Sequence, residues 1–371
     1  MQSLNIEFNE LKKSNNNYII IMAGGIGSRF WPQSRISKPK QFLDVLNTGK
    51  TLIKSTFDRF QDTVPIDNIY VVTTTEYYGL VMEQLDQLKS ENLILEPERK
   101  NTAPCIGYAC YKIGKINSKA NILITPSDHI ILGEKKFEAI VENAFKFVDR
   151  QQALVTIGIK PTKPATGYGY IQYLEDEANL FKKVKTFTEK PNIELAMTFI
   201  QSGDFLWNAG IFVWNVQVFM KKFEKYLPEI GELLKTVWED LNTVKESAIM
   251  NNVYSQFINI SIDYGLMEKS DEVFVIPADF EWSDLGSWSS IYDGLDKDYL
   301  GNATTNNMVK IYDASNNLIV APKGKLVIIQ GLEGKCVVDT KDALMIMDLN
   351  KEQEVKNFTS DLKRDKLEKF L

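Results

Sequence analysis

The chain has 371 residues, of which 44% are hydrophobic and 25% are charged, and its formal net charge is −6. A chain of this length can bury a core without disulfide or metal support, and we expect a large domain and a smaller one. The negative charge disfavours nucleic acid or an anionic membrane as partner, and no run reaches the roughly 18 apolar residues that span a bilayer. The three cysteines form no CxxC pair, which predicts reduced thiols in a cytoplasmic protein.

The first predicted element is a buried strand over residues 18–23, whose Ile-rich run is typical of a parallel strand. Three glycines follow it in a predicted turn: Gly24, Gly25 and Gly27. Glycines let a ligand approach the backbone, and successive N–H groups in such a turn can bind an anion. Arg29 and Lys40 then supply separated cations. This combination predicts a polyphosphate-binding loop, although a purely structural turn remains the alternative for the glycines alone.

Two other phosphate-binding motifs fail in this region. The dinucleotide fingerprint requires a third glycine where Phe30 stands, which argues against a nicotinamide cofactor. Gly49-Lys50-Thr51 could end a Walker loop, but the required upstream glycine position holds Asp44. The loop is therefore of a third kind.

Residues 22–29, together with Pro39-Lys40-Gln41, resemble the signature of sugar-1-phosphate nucleotidyltransferases. The continuation over residues 30–35 resembles the mannose-1-phosphate guanylyltransferase branch of that family. The resemblance implies a Rossmann-like α/β fold, with GTP and mannose 1-phosphate as partners and Mg²⁺ as cofactor. It also implies that seven residues of this region bind the nucleotide: Ala23, Gly24, Gly25, Gly27, Ser28, Arg29 and Lys40.

From residue 51 to residue 159, helical and β-rich patterns alternate. Helices are predicted over 52–60, 75–88, 102–116 and 135–148, and strands over 68–72, 93–95, 121–124 and 153–159. This alternation predicts a mixed, mostly parallel sheet flanked by helices. Ligands of such sheets bind beyond the carboxyl ends of the strands, so polar clusters that follow strands are candidate site residues.

The first such cluster spans residues 96–104. Asn101 or Thr102 can cap the helix that follows, and a cap alone is the alternative to a ligand role. The resemblance implies that Asn101 and Thr102 contact the guanine nucleotide. An extra Lys100 separates Arg99 from Asn101, which departs from the family's R-N-T-A-P string and leaves the role of Arg99 open.

The second cluster follows the strand predicted over 121–124. Asp128 there is a natural Mg²⁺ ligand beside a polyphosphate loop, and an aspartate turn is the alternative. His129 is the only histidine of the chain, and we expect it to orient Asp128 rather than to transfer protons.

After residue 160 the pattern becomes β-rich, with strands predicted over 182–188 and 205–214. The resemblance places the sugar phosphate here. Its implied ligands are Gly167 through its backbone, Glu189 as a hydroxyl acceptor, Lys190 on the phosphate and Asn208 through its amide. A solvated strand end is the alternative for the Glu189-Lys190 pair.

Helices are predicted within residues 215–244, and a strand is predicted over 274–276. Residues 261–269 resemble another family segment, in which Gly265 replaces the usual alanine. Asp284 lies in the W-S-D-x-G-S-W string, and the resemblance makes it the second metal carboxylate beside Asp128.

Beyond residue 300, short β-rich runs recur over 317–321, 326–329, 336–338 and 344–347, which predicts an all-β module. The resemblance implies a left-handed β-helix, whereas the pattern alone also allows a small sandwich. Residues 351–370 are predicted to form a terminal helix. Edge strands in such a module predict self-association, and we expect a homodimer. The predicted organisation is therefore an N-terminal extension (1–17), a catalytic domain (18–295) and a β-helix-like domain with its terminal helix (300–371).

The function implied by the resemblance is transfer of GMP from GTP to α-D-mannose 1-phosphate, giving GDP-mannose and pyrophosphate. The catalytic residues implied are Arg29, Lys40, Asp128, Lys190 and Asp284. Another base or sugar is one alternative, and an inactive GDP-mannose-binding regulatory subunit is a second. A nicotinamide oxidoreductase is disfavoured by the failed fingerprint.

Overall fold

A computed structural model describes residues 13–176 and 178–371. Its described residues fall into two compact units. Unit 1 contains those up to Gly24 together with Thr56–Ser127 and Ile131–Trp282, and unit 2 contains Gly25–Ser55, Asp128–Ile130 and Ser283–Leu371. The first twelve residues of the predicted N-terminal extension (1–17) lie outside the described part of the chain.

The secondary structure alternates between helices and strands up to about residue 160, as the sequence predicts. The strands are β1 (Asn17–Met22), β2 (Ile69–Thr74), β3 (Leu93–Glu96), β4 (Asn121–Pro126), β5 (Ile130–Leu132), β6 (Leu154–Ile159), β7 (Tyr170–Tyr173), β8 (Lys182–Thr188), β9 (Phe205–Asn215), β10 (Val273–Ala278), β11 (Glu281–Ser283), β12 (Ala303–Thr304), β13 (Val309–Tyr312), β14 (Leu318–Val320), β15 (Val327–Gln330), β16 (Lys335–Asp339) and β17 (Leu344–Asp348). The α-helices are α1 (Leu52–Phe60), α2 (Tyr78–Gln84), α3 (Thr102–Ile116), α4 (Glu134–Arg150), α5 (Ile193–Ser202), α6 (Val216–Tyr226), α7 (Pro228–Thr236), α8 (Glu246–Tyr254), α9 (Trp288–Gly294) and α10 (Val355–Arg364). None of the helices in the described ranges is both long and apolar enough to cross a bilayer.

Unit 1 is built on a nine-stranded mixed sheet in the order β3-β2-β1-β4-β9-β6-β10-β8-β7. Within its described strands, four pairings are parallel and five are antiparallel. The sheet is therefore mixed, as predicted, but the expectation of a mostly parallel sheet is wrong. The reason is the long strand β9, which runs antiparallel to both β4 and β6 and is also paired with β7. Hydrophobic pattern reveals burial and not strand direction.

Continuous burial explains why the central strands read as apolar runs. Every residue of β2 and β6 is buried, as are the four central residues of β1, which is expected for strands covered on both faces. On one face α3 and α6 pack together and share a large core with the sheet, in which Phe223 and Trp214 take part. Residues of β1, β3 and β4, the strands that precede the polar clusters, contribute to this core.

In unit 2, successive strands alternate between two small sheets. Strands β12, β14 and β16 are parallel neighbours, β13 pairs in parallel with β15, and β17 returns antiparallel to β16. A small core with Ile319 and Ile329 lies between the sheets. Strand β13 was not predicted, because its residues alternate between half-buried and exposed and the apolar signal is weak.

A larger core of unit 2 joins the glycine-rich segment to the β-strands. It contains Phe30, Trp288, Val338 and Met347, and the rings of Phe30 and Trp288 have centres 5.0 Å apart. The predicted terminal helix is broken into three parts, a 3₁₀ turn at Leu349–Glu354, helix α10, and a second 3₁₀ turn at Glu368–Phe370.

Candidate functional site

The candidate functional residues form two groups, one in each unit. In unit 1, the backbone that follows β1 is held on both sides. Ala23 N donates to the Val72 carbonyl at 2.8 Å, and Thr73 Oγ1 donates to the Ala23 carbonyl at 2.8 Å. The Gly24 carbonyl accepts a hydrogen bond from Arg99 Nε at 3.2 Å. The start of the predicted polyphosphate loop is thus fixed by its neighbours.

Arg99, whose role the sequence left open, is itself firmly placed. Its guanidinium donates to the Glu76 carboxylate and to Tyr77 Oη, the latter at 2.8 Å. The same guanidinium lies 5.3 Å from the centre of the Tyr77 ring, an arrangement that favours arginine over lysine. Arg99 therefore ties the segment after β3 to the Gly24 backbone.

Glu96 lies beneath the same glycine and was given no role from the sequence. Its side chain is buried and accepts a hydrogen bond from Tyr254 Oη. Burial raises the pKa of Glu96 to about 7, although hydrogen bonds from Tyr254 and Cys105 and the charge of Arg99 act in the opposite direction. A Cβ on Gly24 would lie 3.4 Å from Glu96 Oε2. The one signal in the sequence was an acidic residue at the end of an apolar strand.

In unit 2, the remaining glycines adopt a tight path against Lys40. The Gly25 carbonyl accepts from Gln41 Nε2 at 2.9 Å. Gly27 has a φ of 64°, and a Cβ there would lie 2.7 Å from Lys40 Cβ, so glycine is needed at this position. The segment then forms a 3₁₀ turn over Ser28–Phe30, in which Ser28 is exposed and Arg29 is half-buried.

Residues near the end of unit 2 hold the segment that follows this turn. Trp31 Nε1 donates to the Phe370 carbonyl at 2.7 Å. Arg35 donates to the same oxygen and forms an ion pair with Asp342 at 2.9 Å. The path of residues 31–35 is therefore set by the C-terminal part of the same unit.

Lys40 contacts both residues that the sequence analysis predicts as metal ligands, one through its carboxylate and the other through its backbone. Its Nζ lies 2.8 Å from Asp128 Oδ2 and donates to the backbone oxygens of Asp284 and Leu285, each at 2.9 Å. The lysine side chain is 5% exposed, and its Nζ lies 5.3 Å from the centre of the Phe30 ring. A buried ammonium with three oxygen partners is well compensated.

The two carboxylates differ in their surroundings. Burial alone would raise the pKa of Asp128, but the charges of Lys40 and His129 and two hydrogen bonds outweigh it and lower that pKa below its ordinary value. Asp284 Oδ1 accepts from Gly286 N at 2.7 Å. A Cβ on Gly286 would lie 2.6 Å from Asp284 Oδ2, so this glycine makes room for the carboxylate.

The donor set fits Mg²⁺. Within the described ranges, no three His, Cys, Asp or Glu side chains form a metal-binding group. Mg²⁺ in phosphate-handling sites, however, is commonly held by one or two carboxylates and completed by water and substrate phosphates. Asp128, through its carboxylate, and Asp284, through its backbone, both contact Lys40, and their side chains would be the two carboxylates of such a site.

The predicted sugar-phosphate residues lie in unit 1. Glu189 and Lys190 form an ion pair with each other, and the Lys190 side chain is 60% exposed. A Cβ on Gly169 would lie 2.7 Å from Glu189 Oε2, whereas no atom lies within 4 Å of one on Gly167. Gly167 is exposed, and Gly169, which the sequence analysis did not single out, is the glycine packed against Glu189.

A cavity of about 630 Å³ brings predicted nucleotide and sugar-phosphate residues of unit 1 together. The Asn101 side chain caps α3 by accepting from Thr102 N at 2.9 Å, so Asn101 is the cap of the two residues that the sequence allowed. Its lining includes Asn101, Thr102, Glu189, Lys190 and Asp263.

Asn208 is connected to the cavity by a hydrogen bond with Asp263, one of the lining residues. Asp263 was not among the site residues predicted from the sequence. Asn208 Nδ2 donates to Asp263 Oδ1 at 2.7 Å. Burial raises the pKa of Asp263; the Asn208 hydrogen bond and the charge of Lys190 lower it, and the charge of Glu189 raises it further. The only sequence signal for Asp263 was that residues 261–269 resemble a family segment, and that resemblance did not assign Asp263 a function.

Comparison with known proteins gives a consistent result. The family profile described as nucleotidyl transferase matches residues 18–299. A mannose-1-phosphate guanylyltransferase of Salmonella montevideo is 36% identical over 352 residues, which cover 93% of this chain and 73% of the relative. The protein of the same description from Escherichia coli K12 is 35% identical over 357 residues, covering 94% and 74%.

A solved structure described as a mannose-1-phosphate geranyltransferase from Thermus thermophilus superimposes with a TM-score of 0.85 at 26% identity. The match covers 94% of this chain and 99% of that one.

Proposed function

The chain belongs to the nucleotidyl transferase family, and we propose that it transfers GMP from GTP to α-D-mannose 1-phosphate, giving GDP-mannose and pyrophosphate. Its similarity to the nucleotidyl transferase family and to these relatives indicates an enzyme that transfers a nucleotidyl group to a sugar 1-phosphate. The base and the sugar are proposed from the descriptions of those relatives.

The observation that carries the proposal is the arrangement around Lys40. One buried ammonium contacts Asp128 and the backbone of Asp284, and the tight glycine turn at Gly27 packs against the same lysine. Cation, carboxylates and glycine turn are the parts that nucleotidyl transfer needs, because the reaction brings anions together and increases charge on phosphate oxygens.

The nucleophile is a phosphate oxygen of the sugar phosphate, which is already ionised at neutral pH. No side chain has to remove a proton from it. The protein must align this oxygen with the α-phosphorus, opposite the leaving pyrophosphate, and compensate the charge. This requirement accounts for a set of cations and carboxylates without a catalytic histidine.

In this proposal, the residues of unit 2 bind the triphosphate. Backbone N–H groups near Gly25 and Gly27 donate to phosphate oxygens, Arg29 stabilises the leaving pyrophosphate, and Lys40 binds the triphosphate. Asp128 and Asp284 would hold Mg²⁺, which when bound compensates charge on the α-phosphate. Ser28 adds a hydroxyl at the exposed start of the turn.

The residues of unit 1 are assigned to the base, the ribose and the sugar phosphate. Ala23 and Gly24 contribute backbone, and Asn101 and Thr102 contact the nucleoside. Lys190 binds the phosphate of the incoming sugar, and Glu189 and Asn208 bind its hydroxyls. Gly167 is proposed to contact the sugar through its backbone. The cavity lined by Asn101, Thr102, Glu189 and Lys190 supports these assignments.

A substrate panel tests the proposed function. The purified protein is incubated with MgCl₂, one of GTP, ATP, UTP or dTTP, and mannose 1-phosphate or glucose 1-phosphate, and pyrophosphate release is followed. We expect the GTP and mannose 1-phosphate pair to give the highest kcat/KM. A higher kcat/KM for another pair would show that the proposed base or sugar is wrong. Binding of GDP-mannose without turnover would favour a regulatory subunit.

For the organisation of the chain, we propose the division into 18–295 and 300–371, with the extension 1–17, and a left-handed β-helix in the second part. The alternate parallel pairing of β12 to β16 supports a coil of strands. We also propose a homodimer, because β17 is an edge strand with Leu344 and Ile346 exposed. Light scattering on the purified protein tests the dimer.

We propose a cytoplasmic location. All three cysteines, Cys105, Cys110 and Cys336, are buried and free in the described part of the chain, as expected of a reducing compartment. Fractionation of cells that produce the protein tests this location.

A further inference from the structure

The side-chain amide of Asn208 is held in one orientation by three neighbours. Its Oδ1 accepts from Gly210 N at 3.1 Å and from Thr156 Oγ1 at 3.3 Å. Its Nδ2 donates to Asp263 Oδ1 at 2.7 Å. A backbone N–H can only donate and an ionised carboxylate can only accept. A flipped amide would therefore lose both the Gly210 and the Asp263 bond.

This orientation decides what Asn208 can offer a ligand. The amide oxygen accepts from Gly210 N and shares the single hydroxyl hydrogen of Thr156 with the Ile211 carbonyl. One of the two Nδ2 hydrogens is directed at Asp263. An amide nitrogen carries two hydrogens, so among the bonds formed by residues 13–176 and 178–371 a single N–H of Asn208 remains for a ligand. It suits an acceptor, such as a sugar hydroxyl oxygen or a phosphate oxygen, and it does not suit a group that can only donate.

Asp263 is itself fixed by a segment that also contacts the start of α3. It begins a five-residue π-helical turn, Asp263–Met267. Just before it, Ile262 N donates to Thr102 Oγ1 at 2.9 Å, and the Ile260 carbonyl accepts from Ala103 N at 3.1 Å. Two hydrogen bonds thus connect residues 260–262 with the start of α3, and the bond from Asn208 connects Asp263 with β9.

The surroundings of Asp263 match a role next to a sugar phosphate. It lines the same cavity as Glu189 and Lys190, and the residue is half-buried rather than exposed. A half-buried carboxylate needs a compensating donor, and the Asn208 amide provides it. The pair is consequently interdependent.

We propose that Asp263 is a positioning residue that fixes Asn208 as a hydrogen-bond donor toward the sugar phosphate and so contributes to selection of that substrate. This inference rests on the proposed function, since it names a determinant of the same reaction. Asp263 acts through Asn208 and has no direct part in the phosphoryl chemistry.

A double-mutant cycle in steady-state kinetics tests the inference. The variants are Asp263→Ala, Asn208→Ala and the double variant, and the readouts are kcat and the KM values for mannose 1-phosphate and for GTP. We expect each single variant to raise the KM for mannose 1-phosphate about tenfold, as for loss of one oriented hydrogen bond. The KM for GTP should change by less than about twofold. The double variant should be no worse than Asn208→Ala, because the residues act as one unit.

Two further variants separate positioning from general stability. Asp263→Asn keeps an oxygen that can accept from Asn208 Nδ2 and should restore the KM for mannose 1-phosphate to within about threefold of wild type. Asp279→Ala removes an exposed carboxylate of the same unit, paired with Lys136 at 3.0 Å, and should change neither KM. Additive effects in the cycle, or equal changes in both KM values with a lowered melting temperature, would overturn the inference.

An activity-independent readout distinguishes failure of the inference from failure of the proposed function. In protein labelled with ¹⁵N-asparagine, the Asn208 side-chain amide hydrogens should exchange slowly with solvent in wild type and faster in Asp263→Ala. Equal exchange would overturn the inference whatever the enzyme does. Absence of turnover with GTP and mannose 1-phosphate, together with the expected exchange difference, would refute the proposed function alone.

Discussion

The ammonium nitrogen of Lys40 lies 2.8 Å from a carboxylate oxygen of Asp128. The lysine is almost completely buried and the aspartate is partly so. Charges in such a pair depend on each other, because removal of one leaves the other desolvated and uncompensated. The same lysine binds the backbone oxygen of Asp284, so a change at position 40 reaches both proposed metal ligands.

Lys40→Met removes the ammonium and retains most of the side-chain length. We expect turnover to fall on the order of 10²-fold, as for loss of a charge that stabilises the transition state. The pKa of Asp128 should rise, since the charge of Lys40 is the largest of the influences that lower it. Pyrophosphate release and ¹³C NMR of the carboxylate measure the two effects. Lys40→Arg keeps the charge and should leave that pKa low, and wild-type turnover in the Met variant would exclude Lys40 from the reaction.

Asp128→Asn and Asp284→Asn should each lower turnover on the order of 10²-fold or more and raise the Mg²⁺ concentration needed for half-maximal rate. The amide oxygen of the second variant can still accept from Gly286 N, so local structure should persist. Metal titrations of the initial rate provide the measurement. Asp296→Asn, at an exposed position of unit 2, is the matched control, and normal metal dependence in both test variants would refute the assignment.

Glu96→Gln should change how stability depends on pH. The folded-state pKa of Glu96 is about 7, above its ordinary value of 4.5. Its contribution to stability is therefore fully present below pH 4.5, is lost as the pH rises toward 7, and stays constant above that. Relative to wild type, the Gln variant should gain stability across this window, on the order of 3 kcal/mol.

Urea unfolding between pH 4 and pH 8 measures the effect of Glu96→Gln. The Gln oxygen can accept from Tyr254 as the carboxyl does. Parallel stability curves for wild type and variant would show that Glu96 titrates normally. A difference that grows only above pH 7 would point to another group.

Arg99→Ala should weaken GTP binding without unfolding the protein. Arg99 bonds the Gly24 carbonyl at 3.2 Å and is braced by Glu76 and Tyr77. Its loss should free the start of the loop and raise the KM for GTP about tenfold, with a smaller change for mannose 1-phosphate. Arg150→Ala, at an exposed position at the end of α4, should leave both KM values unchanged. If the KM for GTP is the same in Arg99→Ala and wild type, Arg99 has a structural role and does not contribute to GTP binding.

Gly27→Ala and Gly25→Ala separate the structural and ligand-binding needs of the glycine turn. The first places a Cβ 2.7 Å from Lys40 Cβ at a φ of 64°, and should lower the free energy of unfolding by roughly 2 kcal/mol. The second meets no atom within 4 Å and should leave stability within about 0.5 kcal/mol. If Gly25 approaches a phosphate, its Ala variant should still raise the KM for GTP. Denaturation midpoints measure the structural effect of each variant, and the KM for GTP measures its effect on ligand binding.

Local signals in the sequence were sufficient for most elements of unit 1. Helix α3 spans Thr102–Ile116 as predicted, because the Asn101 cap defines its start and its residues are apolar almost throughout. Strand β8 also has the predicted bounds, Lys182–Thr188. These elements depend on capping and hydrophobic pattern, which are properties of neighbouring residues.

Contacts between residues far apart in the chain could not be predicted from the sequence in this way. The antiparallel course of β9 depends on which strands lie beside it, and its own apolar pattern is the same in either direction. Asn208 and Asp263 are separated by 55 residues, and neither belongs to a spacing that would join them. The grouping of Gly25–Ser55 with the C-terminal residues of unit 2 likewise arises from packing alone.

The Phe370 carbonyl that receives Trp31 and Arg35 is a backbone group, and any residue at that position would present the same oxygen. Selection on this contact would therefore act on the spacing between α10 and residue 370 and on the identity of Trp31 and Arg35, but hardly on residue 370 itself. We expect relatives to vary freely in side chain at this point while rarely gaining or losing residues before it. If relatives show substitutions but few insertions or deletions in this segment, the path of its backbone is under selection and most of its side chains are not.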